Sequence, residues 1–266
     1  MFHTWMAVLF LGLLAAVLVG WAALGFRRSR YSTIQTLLYL PAMLLVKLRW
    51  GARLPPGLPL RPGEGGVIVA NHRSSIDPFF VQVIAGRDVH WMVAKEFCDS
   101  AAFGWFLRWM EAIPTNRAGI DTAATKLAIR YVRQGSVIGM FPEGRINMTD
   151  ELLLPVRPGA AMIALKAGVP MVPCYIEGSP YAGSAWSPFL MPAKAKVKFG
   201  APIDVSFYAD RADDRDAHTE LTLLVMKEIA KLAGRDDFEP QLAGRQWKPT
   251  EAETVAANEA SAQRNR

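Results

Sequence analysis

Cysteine and histidine are scarce in this chain, with two and four respectively among 266 residues. Cys98 and Cys174 stand far apart without a paired motif, which excludes a disulfide framework and reads as reduced core thiols in a cytosolic setting. No His or Cys pair has ligand spacing, so no metal is expected. A Gly-x-Ser-x-Gly elbow is also missing, which disfavours serine-hydrolase chemistry. The net charge of +6 suits an anionic membrane surface or an anionic substrate. Nucleic acid is not supported, because there is no basic helix, zinc spacing or aromatic-basic signature.

Charge itself is absent from residues 2–26. At about 1.5 Å per residue, that run is long enough to cross a roughly 30 Å hydrocarbon layer with some tilt. The basic cluster Arg27, Arg28 and Arg30 follows the apolar run instead of leading it, which favours a retained anchor over a cleaved signal peptide. The positive-inside rule then puts the catalytic part on the cytoplasmic side. A second apolar stretch, 34–46, is too short to span and carries Pro41. It reads as an interfacial or re-entrant helix with Lys47, Arg49 and Arg53 at its polar end, against a buried core helix as the alternative. Residues 1–50 are therefore expected to form a membrane-anchoring helical segment.

A Pro/Gly-rich connector at 55–66 leads into the expected catalytic domain, 51–234. Short apolar runs predict strands over 67–70, 89–94, 110–114, 137–141, 171–176 and 195–199. Helical patterns cover 78–85, 100–110, 122–134, 158–167 and 216–233. Gly86, Gly135, Gly168 and Gly234 stand where helices should stop. This alternation predicts an α/β fold with a central, mostly parallel sheet flanked by helices. Residues 235–266 turn polar and small and read as a mobile tail.

Two motifs carry chemistry. In Asn71-His72-Arg73-Ser74-Ser75-Ile76-Asp77-Pro78, His72 falls on the turn leaving a strand, and Asp77 sits beside the N-terminus of the next helix. Folding that turn can return the carboxylate to one imidazole nitrogen, leaving the other to accept a proton from an alcohol. The bland alternative has Asp77 only capping the helix and His72 bonded to backbone. Ser74 and Ser75 read as turn hydroxyls. The second motif is Phe141-Pro142-Glu143-Gly144-Arg145, at the C-terminal end of a buried strand. There Gly144 allows close backbone approach and Arg145 can grip a phosphate. Glu143 would be repelled by phosphate and is expected to orient Arg145 or another basic group, or to bond a substrate hydroxyl.

His-x-x-x-x-Asp followed by Phe-Pro-Glu-Gly resembles the glycerolipid acyltransferases typified by 1-acylglycerol-3-phosphate acyltransferase. Ile113-Pro114-Thr115-Asn116-Arg117 and Val169-Pro170-Met171-Val172-Pro173 match two further blocks of that family in order. The resemblance implies His72 as general base and Asp77 as its partner. It also implies Arg117, Glu143, Gly144 and Arg145 as the glycerol-phosphate site, with Val169, Pro170 and Pro173 shaping the pocket wall. It needs no resident cofactor, and the donor would be a fatty acyl-CoA or acyl carrier protein. The expected acceptor is lysophosphatidic acid, drawn from membrane lipids and converted to phosphatidic acid in phospholipid biosynthesis. Two departures bear on the acceptor: Asn116 replaces a frequent Asp, and Arg145 follows Gly144 directly where many members read Gly-Thr-Arg-Ser. Lyso-ornithine lipid or another lysophospholipid is the alternative acceptor, and a non-catalytic lipid-binding protein the non-enzyme rival. Backbone N–H groups of the His72 turn or of the Pro142–Gly144 loop are the expected oxyanion donors.

Overall fold

The structure is a computed structural model that describes Met6, Gly12 and residues 32–116 and 121–244. The continuous described run from residue 32 opens with helix α1, Thr33–Leu44, which continues as a π-helical turn, Leu45–Arg49. Ser32 and Gln35 start it as a reciprocal capping box, each side chain accepting from the other's backbone N–H. Six strands follow: β1 (Gly66–Ala70), β2 (Val89–Ala94), β3 (Ile113–Thr115), β4 (Val137–Met140), β5 (Met171–Glu177) and β6 (Lys196–Phe199). Between and after them lie α2 (Asp77–Ala85), α3 (Lys95–Cys98), α4 (Gly104–Trp109), α5 (Thr122–Arg133), α6 (Gly159–Ala167), α7 (Ser187–Leu190) and α8 (Arg215–Leu232). The strand order is β3-β2-β4-β1-β5-β6, parallel throughout except for the β5–β6 pair.

Parallel strands covered on both faces read as continuous apolar runs, and β1, with every residue buried, is the clearest case. Side chains alternate between the faces. Val67 and Val69 join Ala128, Ile163 and Leu221 of the α5–α6–α8 layer. Ile68 and Ala70 instead join Phe80 and Val81 of α2, with Val46 and Trp50 that follow α1. The four expected helix-stop glycines all adopt positive φ.

Three expectations need correction. The predicted helix 100–110 begins only at Gly104, and the predicted strand 110–114 becomes Ile113–Thr115, because Met110 closes α4. Trp50 is wholly buried, and the chain just beyond it pairs with β6 through Arg53, so a domain boundary at 50/51 cuts through the core. Residues 236–244 are no loose tail: Val156 pairs with the chain at Gln241 and Ala243, and Phe238 packs on the core. Apart from Met6 and Gly12, the expected spanning run 2–26 lies outside the described residues, as do residues 245–266. Among the described residues no helix is long and apolar enough to cross a membrane.

Candidate active site

Parallel strands bring their C-terminal ends to one edge of the sheet, where ligands of α/β folds collect. β1 delivers His72 there, β4 delivers Phe141 to Arg145, and β3 leads toward Arg117, which itself lies outside the described residues. The loop holding Arg117 is tied at its base by Asp121, whose two carboxylate oxygens accept from Asn116 N–H at 3.0 Å and Ala124 N–H at 3.0 Å. Lys95 opens α3 at the C-terminal end of β2, so a further cation shares this edge. Lys95 was not singled out from sequence, since a lone lysine after a short strand carries no motif.

The His72–Asp77 pair forms as the spacing predicts. Asp77 Oδ2 stands 3.0 Å from His72 Nδ1 and also accepts the N–H groups of Arg73 at 2.7 Å and Ser74 at 2.8 Å. One buried carboxylate oxygen therefore shapes the turn and orients the ring together. With Nδ1 directed at Asp77, Nε2 is the nitrogen available to a substrate. The ring is also held by stacking on Phe141, with centroids 3.9 Å apart and planes 10° from parallel. Phe141 stacks in turn on Trp91 at 4.7 Å. Trp91 needs Gly139 beside it, because a Cβ there would stand 2.6 Å from the indole.

Glu143 does not join a phosphate cradle. Its Oε1 accepts the His72 N–H at 2.7 Å and its Oε2 the Leu154 N–H at 2.9 Å, and the side chain is buried. Burial pushes its carboxyl up to about 7, with the Leu154 and His72 N–H groups and the charge of Arg73 pulling the other way. It therefore clamps the two motif loops together from beneath. Gly144 is exposed at φ +68°, closing a turn in which its N–H donates to Phe141 O at 3.0 Å. Arg145 follows half-buried on the same loop. The N–H groups of His72, Arg73 and Ser74 all donate to Glu143 or Asp77, so the expected oxyanion role does not fall to them.

A second lock was not foreseen. The Arg73 guanidinium donates to three carbonyls of the loop after Gly144: Asn147 O at 3.2 Å, Thr149 O at 2.6 Å and Glu151 O at 2.7 Å. Buried Asn147 donates its N–H to His72 O at 2.7 Å, and its Oδ1 accepts from Thr149 N–H and hydroxyl at 3.0 and 2.8 Å. The Asn-x-Thr pattern at 147–149 is an Asx-turn signal that marks this loop as built. Asn71 clips the end of β1 to β5 by bonding both backbone groups of Ile176, at 2.9 and 2.7 Å. From the far side, Ser74 and Ser75 donate to Pro180 O and Ala185 O at 2.5 and 2.9 Å, as turn hydroxyls.

Val169 and Pro170 do not reach this site. They precede β5 and line a shallow depression with Gly63, Glu64 and Gly135 at the opposite end of the sheet. Pro173 lies inside β5 opposite Val69, where its carbonyl accepts from Gly200 N–H at 2.9 Å. Their part in the chain is structural.

Residues 55–177 match the family model described as Acyltransferase. The 1-acyl-sn-glycerol-3-phosphate acyltransferase of Bacillus subtilis (strain 168) is 26% identical over 167 residues, covering 62% of this chain and 80% of that one. That of Streptococcus pneumoniae is 30% identical over 146 residues, covering 54% of this chain and 52% of the relative. The crystal structure of the 1-acyl-sn-glycerophosphate (LPA) acyltransferase PlsC from Thermotoga maritima superposes with a TM-score of 0.57 at 19% identity, covering 85% of this chain and 95% of that one. That likeness establishes a shared fold. The family model and the curated relatives agree with the His72–Asp77 geometry in likening residues 55–177 to the acyltransferases.

Proposed function

We propose that this acyltransferase moves a fatty acyl group from acyl-CoA or acyl carrier protein to the sn-2 hydroxyl of 1-acyl-sn-glycerol-3-phosphate, giving phosphatidic acid. It would work bound to a membrane with the catalytic domain on the cytoplasmic face. The observation that carries the chemistry is the 3.0 Å His72 Nδ1–Asp77 Oδ2 contact at the sheet edge that also presents Gly144 and Arg145. The 1-acyl-sn-glycerol-3-phosphate acyltransferase activity for which the relatives are named supports the acceptor.

In the proposed reaction the acceptor hydroxyl oxygen attacks the thioester carbonyl while His72 Nε2 takes its proton. Asp77 holds the ring and stabilises the imidazolium. The tetrahedral intermediate collapses by expelling the thiolate, which recovers the proton from His72 and leaves as thiol. The serines of the turn are bonded to carbonyls, and no acyl-enzyme is needed. Base catalysis of this kind supplies roughly 10²- to 10⁴-fold, so positioning by the locked loops must supply much of the rest. Arg145, with Lys95 on the same edge, would meet the acceptor phosphate, and Arg117 is proposed to join them.

Thiol release from a long-chain acyl thioester, measured with and without lysolipid, tests the reading. Release that requires lysophosphatidic acid, with phosphatidic acid as product by mass spectrometry, is expected. Acceptor-independent release would mean a hydrolase, and no release a binding protein. A preference for lyso-ornithine lipid or another lysolipid in the same panel would move the acceptor and leave the chemistry.

A further inference from the structure

The chain that follows α8 has the composition of a tail, yet its first residues reach back to the catalytic loop. Gly234 turns it at φ +76°, where Arg235 N–H donates to Ala230 O at 2.9 Å. Phe238 then packs on the core layer that contains Leu153 and Val156. Glu239 pairs with Lys227 of α8 at 3.1 Å, but that ion pair is exposed and Phe238 is the stronger seat. Seated in this way, Leu242 forms a parallel bridge with Val156. Val156 N–H donates to Gln241 O at 2.8 Å, and Ala243 N–H donates to Val156 O at 2.9 Å. Both backbone groups of a wholly buried residue are spent on this strap.

The neighbours of Val156 serve the catalytic loop. Arg157 N–H donates to Pro142 O at 3.0 Å, and Leu154 N–H donates to Glu143 Oε2 at 2.9 Å. Pro155 has no N–H to give. Every backbone donor of residues 154–157 is therefore committed, one to the strap and two to the catalytic loop. Glu143 passes the contact on, since its Oε1 accepts the His72 N–H at 2.7 Å. Arg73 grips the stretch 147–151 between these points from the His72 side, so the strap closes the loop from behind. Without the strap, Val156 would hold two buried polar groups lacking partners, a cost the segment relieves by moving toward water. That movement would draw Leu154 off Glu143 and Arg157 off Pro142.

We infer that the strap 238–243 is a positioning element of the active site, which acts through Val156 to hold the loop 142–145 in place against His72. Its residues touch no reacting atom. They act by fixing where Gly144 and Arg145 stand when the acceptor arrives. For that effect on the acceptor the inference rests on the proposed lysolipid reaction, whereas the hydrogen-bond path from the strap to His72 does not.

In the full chain, Ala243→Pro deletes the N–H that binds Val156 O, and Ala243→Gly keeps it as the control. Phe238→Ala removes the seat independently, and Phe238→Leu restores part of it, so the test survives if the proline variant folds poorly. Amide hydrogen exchange reads the path directly. Leu154 and Arg157 should exchange about tenfold or more faster in Ala243→Pro and Phe238→Ala than in the controls, with the β1 amides unchanged. Acceleration confined to 236–244 overturns the inference. Acceleration shared equally by β1 does so too, since the strap would then serve the fold alone. In steady state the KM for lysolipid should rise about threefold or more with the donor KM unchanged, and Phe238→Leu should recover part of that loss. Equal rises for both substrates overturn the inference as well. If wild type turns over no lysolipid, the proposed reaction fails, and the exchange result alone decides the role of the strap.

Discussion

Asp77 and Glu143 are two buried carboxylates within one turn of each other's partners, and they do different work. Asp77 orients the His72 ring, whereas Glu143 holds the His72 backbone. His72→Ala should therefore lower kcat by about 10²- to 10⁴-fold, and Asp77→Asn by less, with the acceptor KM little changed in both. Steady-state rates on lysolipid check this. Glu143 should show itself through stability. Its carboxyl is raised from 4.5 to about 7 in the folded chain, so between those values the native state holds more protons than the unfolded one. Stability from this group is then full below about pH 4.5 and is lost as pH rises through 7, at about 3 kcal/mol in total. Thermal midpoints of wild type should fall along that interval relative to Glu143→Gln, whose profile should be flatter.

Residue identity was legible where chemistry depends on spacing. His-x-x-x-x-Asp fixes its own geometry, because five residues leaving a strand have few ways to return a carboxylate to a ring. Arg73 was opaque, since its three acceptors lie 74, 76 and 78 positions away and nothing local announces them. Arg73→Ala should let the Asn147–Glu151 loop drift from His72. The acceptor KM should rise more than the donor KM, with Arg73→Lys restoring part of the loss. Equal effects on both substrates would mean a general loss of fold.

At the scale of elements, parallel strands were readable because burial on both faces leaves an unbroken apolar run, as in β1 and β5. Short elements were less so. β3 has three residues and α3 four, too few for any periodicity to show. The tail misled for a related reason: averaged over 235–266 it is polar, yet Phe238 alone suffices to seat its first residues on the core. Within β4, Gly139 is where the sheet touches the site. A valine there must push Trp91, which would displace Phe141 and tilt the His72 ring. Gly139→Val should cost about 1–3 kcal/mol of stability from overpacking and also lower kcat. Gly144→Ala meets nothing within 4 Å and should cost only about 1 kcal/mol for its positive φ. Denaturation curves and rates on the two variants separate steric from conformational strain.

For the whole molecule, the question is where the catalytic body begins. Composition places a border after residue 50, since apolar residues end there and a Pro/Gly-rich connector follows. Packing places it earlier. Trp50 is completely buried among Phe79, Phe80 and Phe189, with centroids 5.6 to 6.2 Å apart, and Val46 is buried with it. Beyond them Arg53 N–H donates to Ala195 O at 2.8 Å, and its carbonyl accepts from Val197 N–H at 3.1 Å. Removing a buried tryptophan costs about 3–5 kcal/mol, against the 5–15 kcal/mol that holds a typical domain together. A chain starting at residue 51 would lose Trp50, Val46 and the whole of α1 together, and should not fold. One starting at residue 32 keeps the capping box, the π turn and the aromatic cluster, and should fold with a cooperative transition. Trp50→Ala in the full chain should fall between the two, losing its stated share of stability while retaining activity at low temperature. A stable, cooperative fragment from residue 51 would show that α1 is an appendage, and the border drawn from composition would then stand.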